Sequence, residues 1–211
     1  AIGYNTGLAV TTGQYNVLVG GLTGDAITDA DYNVAMGYLA LSANTLGSRS
    51  TAIGTVALAA QNFTTATDAY NTAVGYQAGG SVTTGVQNTF LGGLSGDALT
   101  DADYNAGLGF GTLSTDTLGS KSTAVGYAAL QNQNFTTATD SFNTAVGYEA
   151  GNSVTTGIED TLIGALAGDA LTTGKENVAV GYRSLSGDTQ GKRSIAIGKD
   201  ALRVQNFTTA T

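Results

Sequence analysis

The sequence contains no cysteine, histidine, proline or tryptophan, and only 11% of its 211 residues are charged. Without cysteine or histidine the chain cannot build a structural zinc site, an iron–sulfur cluster or a disulfide framework, and thiol and imidazole catalysis are excluded too. The net charge of −8 argues against nucleic-acid binding, which needs clustered lysine and arginine. No apolar run approaches the ~20 residues of a membrane span, and no segment has the pattern of a signal peptide.

The chain is rich in glycine, with 31 residues, and 42% of its residues are apolar. Many of these residues belong to a short motif that recurs along the sequence. The motif is Asn or Ser, any residue, Ala or another apolar residue, a branched apolar residue, and Gly, often followed by Tyr, as in Asn71–Tyr76. Its twelve glycines follow one another at spacings of 17, 17, 17 and 21 residues, and this series repeats. They are Gly3, Gly20, Gly37, Gly54, Gly75, Gly92, Gly109, Gly126, Gly147, Gly164, Gly181 and Gly198.

Three units of 17 residues and one of 21 make a cassette of 72 residues, at 1–72, 73–144 and an incomplete 145–211. The four unit types, numbered 1 to 4 in chain order, are seen at 71–87, 88–104, 105–121 and 122–142. The chain begins inside a motif and stops inside a long unit, so we expect residues 1–211 to be a single segment of a longer fibre.

Seventeen residues rich in Gly and Thr are too few for a helical repeat. They suit one turn, or rung, of a parallel β-solenoid with about two short strands and two turns. Each rung adds roughly 4.8 Å along the axis, so twelve rungs predict an all-β rod on the order of 55 Å long.

Alternation along the strand predicts which side chains face the core. The predicted inner face holds Thr72, Val74, Tyr76 and Ala78, and the opposite face holds Ala73, Gly75 and Gln77. Since small apolar residues and an unbroken line of glycine occupy the opposite face, we expect it to be buried against a partner chain, with three chains around one axis. The alternative is that glycine only supplies a bend or a positive φ within a single-chain solenoid.

The motif, as in Ser50–Gly54 and Ser194–Gly198, resembles the YadA-like head repeats of trimeric autotransporter adhesins and similar repeats of phage tail fibres. The resemblance covers essentially the whole chain and implies a left-handed parallel β-roll, three chains per fibre and a role in attachment. Family repeats are usually a little shorter than 17 residues, and a regular unit of 21 departs from them. No anchor, neck or coiled-coil stalk is visible in these residues.

Clustered aspartates are the first candidates for a binding site, because Ca²⁺ takes carboxylate oxygens. They are Asp25, Asp29 and Asp31, which recur as Asp97, Asp101 and Asp103. The third cassette has Asp169, Thr173 and Lys175 instead, and the spacing is not that of an EF-hand. A solvated acidic turn is the favoured interpretation, and a glycosidase pair is disfavoured because open turns provide no groove. We therefore expect no enzymatic activity, no cofactor and no metal site.

The long units carry three N-x-Thr sequons, at Asn62, Asn134 and Asn206, which are possible glycan acceptors. The phenylalanine of each sequon, such as Phe63, is expected to pack against the rod or a neighbouring chain. Thr83 and Thr84 recur mainly in one unit of four, about 19 Å apart at 4.8 Å per rung, which is too sparse for an ice-binding array.

Two further positions recur along the chain. The leading asparagines are expected to form a turn ladder, with amide stacked on amide between rungs; they are Asn16, Asn33, Asn71, Asn88, Asn105, Asn143 and Asn177. The tyrosines after the motif glycine are expected to be packing or edge aromatics, with a sugar platform as the alternative; they are Tyr4, Tyr38, Tyr76, Tyr127, Tyr148 and Tyr182.

Together these features predict a structural segment of an extracellular, cell-surface or virion fibre. Its partners would be two further copies of itself and, through the fibre, a host surface glycan or protein. The rival hypothesis is an adhesive module in which the loops themselves bind a glycan or a surface.

Overall fold

Residues 1–209 are described by a computed structural model and form a stacked parallel β-solenoid without any helix. The predicted fold class is confirmed. The last two residues of the third cassette, 210 and 211, lie outside the described residues. The strands are β1 (Val17–Val19), β2 (Val34–Met36), β3 (Gly47–Ser48), β4 (Thr51–Ile53), β5 (Thr67–Asp68), β6 (Thr72–Val74), β7 (Thr89–Leu91), β8 (Ala106–Leu108), β9 (Gly119–Ser120), β10 (Thr123–Val125), β11 (Thr139–Asp140), β12 (Thr144–Val146), β13 (Thr161–Ile163), β14 (Val178–Val180) and β15 (Ile195–Ile197).

The main sheet contains one three-residue strand from each of eleven consecutive motifs, all parallel and in register. Ala73 pairs with Phe90, and Phe90 pairs with Gly107, so the same motif position recurs on every rung. The first motif joins this sheet through an isolated bridge between Ile2 and Val19. All twelve motifs therefore stack in line, as the spacing predicts, and eleven of them form regular strands.

The expected second strand of each rung is regular only next to the long units. There β3 pairs with β5 and β9 pairs with β11, two residues each. Elsewhere the far side of the coil consists of turns, whose backbone still bonds from rung to rung, as from Gly24 N–H to the Ala40 carbonyl at 2.9 Å. The prediction of two strands per rung is thus wrong for most rungs, because residues with left-handed φ interrupt the extended backbone there.

The motif glycine is required by contacts within the chain. Gly75 has φ of +141°, and a Cβ built on it would lie 2.5 Å from the Gly92 carbonyl oxygen of the next rung. A side chain would therefore collide with the backbone that stacks on it. The interpretation of this glycine line as the contact with a partner chain is wrong, and the alternative, a bend with positive φ in a stacked coil, is the one observed.

The two faces of the strand are also opposite to the prediction. Ala73 is 0% exposed and faces the coil interior, whereas Thr72 and Val74 are half-buried and Tyr76 is exposed. Ala78 is buried as predicted, but only because the bend at Gly75 ends the alternation after three residues. The apolar character of Val74 misled the prediction, since the outward face is itself apolar.

The core of the type-1 and type-2 units is apolar, and glycine corners make room for one large side chain. In the second cassette this side chain is Phe90, which is fully buried. A Cβ on Gly79 would lie 3.0 Å from the Phe90 ring, one on Gly107 would lie 3.2 Å from it, and one on Gly96 would lie closer still. The same arrangement surrounds Leu162 in the third cassette.

The core of the type-3 and type-4 units is partly polar. Leucines with left-handed φ, such as Leu113 and Leu130, fill the corners where the other units have glycine. Beside them the buried Gln133 donates to Asp116 and to Ser122, and its Oε1 accepts from Asn143 Nδ2 at 2.8 Å. Asp116 Oδ1 also accepts two backbone N–H groups at 3.0 Å, so this polar core is well bonded.

Candidate functional site

The outward face of the main sheet runs along eleven rungs of the rod. It has two columns of side chains, from the first and third residue of each strand in the main sheet, and no member is charged. The first column is Val17, Val34, Thr51, Thr72, Thr89, Ala106, Thr123, Thr144, Thr161, Val178 and Ile195. The second column is Val19, Met36, Ile53, Val74, Leu91, Leu108, Val125, Val146, Ile163, Val180 and Ile197.

An aromatic column borders this outward face, immediately after the motif glycines. Tyr76 is 57% exposed, and the other members are similarly open. Phe110, Tyr127 and Tyr148 stack on one another, with ring centroids 6.0 and 5.4 Å apart. The structure therefore places the predicted tyrosines in one column beside the sheet and adds Phe110, and the same column holds Lys199 on the last rung.

Several charged side chains lie on another corner, in the column just before each leading Asn or Ser. There the Arg49 guanidinium lies over the rings of Tyr32 and Tyr70 at 5.0 and 5.8 Å and pairs with Asp68 at 2.9 Å. The Asp68 carboxylate raises the pKa of Arg49. Lys121 pairs with Asp140 in the equivalent place of the second cassette. The outward face and the charged corner are thus chemically distinct surfaces.

The acidic turns connect neighbouring rungs. Asp101 Oδ1 accepts hydrogen bonds from the hydroxyls of Thr83 and Thr84 at 2.6 and 2.7 Å, which lower its pKa. Asp103 Oδ1 accepts the Val86 N–H, whereas Asp97 has one buried oxygen without a partner and a pKa raised by burial. In the first cassette Asp29 accepts the same pair of threonine hydrogen bonds as Asp101, and Asp31 accepts a backbone N–H as Asp103 does. Asp25, like Asp97, has one buried oxygen without a partner.

These aspartates do not form a metal-binding group. Within residues 1–209, no cluster of three or more carboxylates is suitably placed to hold a metal ion. Asp101, Asp103 and Asp140 do line one open depression of about 590 Å³ beside the long unit. Its carboxylates already bond to the preceding rung or to Lys121, so the depression supplies negative charge without a ligand cage.

The sequons lie on the loops of the long units, where Asn62 and Asn206 are exposed and Asn134 is half-buried. Phe63 and Phe135 are buried against their own rod, which confirms the packing role expected of them, and Phe207 is more open. The threonines of all three sequons are exposed. Glycosylation at these asparagines stays a prediction.

Threonine forms a denser array than the sequence suggested. Thr83 stacks on Thr100 and Thr100 on Thr117, through backbone bonds between successive rungs, so three rungs of four carry Thr at this position. The Thr83–Thr84 pair itself recurs mainly in one unit of four, as predicted, and the sequence analysis missed Thr100 and Thr117 because they stand in different sequence contexts. Their hydroxyls donate to carbonyls of the following rung, so this array stabilises the stack.

The leading asparagines form the expected ladder, with a different bonding pattern from amide stacking. Asn88 Oδ1 accepts the backbone N–H of Asn105 at 2.9 Å, and Asn88 Nδ2 donates to the carbonyl of Ala102 at 2.8 Å. The same pair of bonds recurs at the other asparagines of the ladder, all of them buried or half-buried. One rung of this ladder carries the buried Asp160 in place of asparagine. The motif alone did not show that this carboxyl is buried with one oxygen unpaired.

The chain shows no significant match to known protein families, to curated proteins or to solved structures. None of residues 1–209 forms a helix able to cross a membrane.

Proposed function

We propose that the chain is a structural segment of an extracellular homotrimeric fibre, an adhesin or a phage tail fibre, and serves as a rigid rod and attachment scaffold. The outward face of the main sheet carries this proposal. Its columns run the length of eleven rungs without a charged side chain, and several members are clearly open, among them Leu91 at 38% exposure. An uncharged surface with a continuous column of exposed and half-buried apolar side chains is typical of an interaction site.

A closed assembly around one axis accounts for this surface better than isolated rods. The face repeats on every rung in the same register, so a second copy can meet it along successive rungs. Three copies around a common axis would bury one face from each chain, and closure would leave no apolar face open. The resemblance of the motif to trimeric head repeats supports the number three.

The rod itself supports the mechanical role. Backbone hydrogen bonds link each rung to the next on the sheet side and on the turn side, and the asparagine ladder adds side-chain bonds along the same axis. Because each rung contacts only its neighbours, stability accumulates with the number of rungs. Such a stack resists bending and presents loops at fixed intervals.

A charge on the outward face tests the trimer. Leu108→Lys should reduce the mass in solution from three chains to one, because burying an unpaired ammonium in an apolar interface is costly. The matched control is Thr115→Lys, an exposed position of the same unit on the far side of the rod, which should leave the mass unchanged. Sedimentation at several concentrations, with circular dichroism to verify folding, gives the answer. A monomeric wild-type rod would refute the trimer.

The loops support a second candidate function, an adhesive module that binds a glycan or surface directly. Thr64, Thr65 and Ala66 are all exposed in the long unit, and the second cassette repeats them. Removing residues 73–144 deletes one full cassette and keeps the rung spacing. If the rod is only a scaffold, the shortened chain should retain adhesion of the parent fibre; loss of adhesion with an intact rod would favour the binding module.

A further inference from the structure

Asp160 occupies a ladder position that asparagine holds in the matching units of the other cassettes, at Asn16 and Asn88. It is 0% exposed. Its Oδ1 accepts hydrogen bonds from the backbone N–H and the side-chain Nδ2 of Asn177, at 2.9 and 3.0 Å. Its Oδ2 is buried and has no partner. Leaving an unpaired buried oxygen of this kind charged is unfavourable, because the charge loses its hydration and gains no hydrogen bond.

The unpaired oxygen lies where the other rungs have a donor. A Cβ built on Gly157 would lie 3.0 Å from Asp160 Oδ2, and one built on Gly85 would lie 3.2 Å from Asn88 Nδ2. Each ladder asparagine donates this Nδ2 to the carbonyl fourteen residues later, as Asn88 does to Ala102. For Asp160 that carbonyl belongs to Gly174. A carboxylate would set two acceptors against each other there, whereas a protonated Oδ2 donates as the amide does.

We propose that Asp160 is a protonated rung of the asparagine ladder, donating its proton to the Gly174 carbonyl, and that loss of this proton opens the ladder locally between Asn143 and Asn177. The rod would then contain one pH-sensitive joint in its third cassette. The equivalent joints at Asn16 and Asn88 are insensitive to pH, because an amide does not titrate in this range.

The charged neighbours favour the protonated form. On its own rung Asp160 follows Glu159, and the next rung brings Glu176, both of which raise its pKa. Glu176 pairs with Arg193 at 2.7 Å and is also near Lys175 and Lys192. The preceding rung places the neutral Asn143 amide here, and its Oδ1 accepts the Asp160 N–H at 2.9 Å. No cation bonds to Asp160 itself.

Burial raises the pKa of Asp160 from its ordinary value of 3.8 to about 7. The unfolded or opened chain therefore loses the proton first as pH rises. The joint is fully stable below the ordinary carboxyl range, weakens as pH rises towards about 7, and changes no further above it. Its opening constant should increase about tenfold per pH unit within that window, as one proton requires.

Hydrogen exchange within one molecule provides the test, because the second cassette is a built-in control. The Asn177 amide donates to Asp160, and the Asn105 amide donates to Asn88. After correction for intrinsic rates, protection of the Asn177 amide should fall at least tenfold between pH 5 and pH 7 relative to that of Asn105. Equal pH dependence of the two amides would overturn the proposal.

Two variants complete the test in the full chain. Asp160→Asn should abolish the pH-dependent loss of protection at Asn177, and Asn88→Asp should create the same loss at Asn105. The carbon-13 shift of the Asp160 carboxyl reports its titration directly. A midpoint in the ordinary carboxyl range, or an Asp160→Asn chain with an unchanged pH profile, would show that Asp160 is not the joint.

Discussion

The two halves of each cassette have the same backbone and fill it in different ways. The type-1 and type-2 units place a large apolar side chain on the strand, Phe90 in the second cassette, and glycine at the corners around it. The type-3 and type-4 units place Gly107 or Ala124 on the strand, leucine at the corners and a bonded polar group, Asp116 with Gln133, in the remaining space. The backbone stacking is the same on every rung, while the chemistry that fills the interior differs between the two halves.

This difference explains why the order of the units is fixed. Phe90 extends over glycines of its own rung and of both neighbouring rungs. A leucine corner beside it would overlap with the ring, so a type-2 unit needs the neighbours that it has. Close packing of this kind transmits any change of volume to the adjacent rung. The cassette of four units is therefore the packing unit of the rod.

The largest effect is expected from removing the side chain that fills the apolar half. Phe90→Ala should lower the free energy of unfolding by about 3–5 kcal/mol, because it leaves a cavity that glycine corners cannot close. Denaturant unfolding followed by circular dichroism measures this loss. Ser81→Ala, at an exposed position of the preceding unit, should change the stability by less than about 0.5 kcal/mol.

The comparison becomes sharper when one half is converted into the other. Gly96 has φ of +60° and Leu113 has φ of +53° at the equivalent corner, so the backbone already accepts leucine there. Adding Gly96→Leu to Phe90→Ala should recover part of the lost stability, whereas Gly96→Leu alone should be destabilising because it overlaps with the Phe90 ring. Additive effects of the two substitutions would contradict the volume argument.

A smaller loss is expected from the polar half. Gln133→Leu removes the donor to Asp116 and Ser122 and the acceptor for Asn143, and leaves buried polar atoms unpaired at a cost of about 1–3 kcal/mol. The same unfolding measurement applies, with the exposed Thr136→Ala as control. A stability equal to that of the wild type would show that the polar core can be replaced by an apolar one.

The stacking could be predicted because the spacing of the glycines is independent of what surrounds them. Gly75, Gly92 and Gly109 lie in line as the period requires, and Asn71, Asn88 and Asn105 form the expected ladder. Val74 could not show which face of the strand points into the coil, since apolar residues occur on both faces of the strand. Thr83 and Thr100 likewise have different neighbours in sequence and meet only in the stack.

The candidate site was recognised only in part for the same reason. The sequence predicted that Ala73 and Gly75 would face a partner chain, but the coil uses both for its own packing. Contact with a partner chain stays a prediction. Asp160 could have been found as the one carboxyl in the ladder register. That its Oδ2 lacks a hydrogen-bond donor could not be found in the same way, because the group facing this oxygen is the carbonyl of Gly174, which belongs to the next rung.

The sequence by itself determined the period and the parallel stacking, since these follow from a repeat that must lay one backbone on the next. The tertiary structure alone decided which side of each strand faces the coil interior and which polar atoms remain unpaired. The physical reason is that both depend on the width of the coil interior, and the corners of neighbouring rungs set that width.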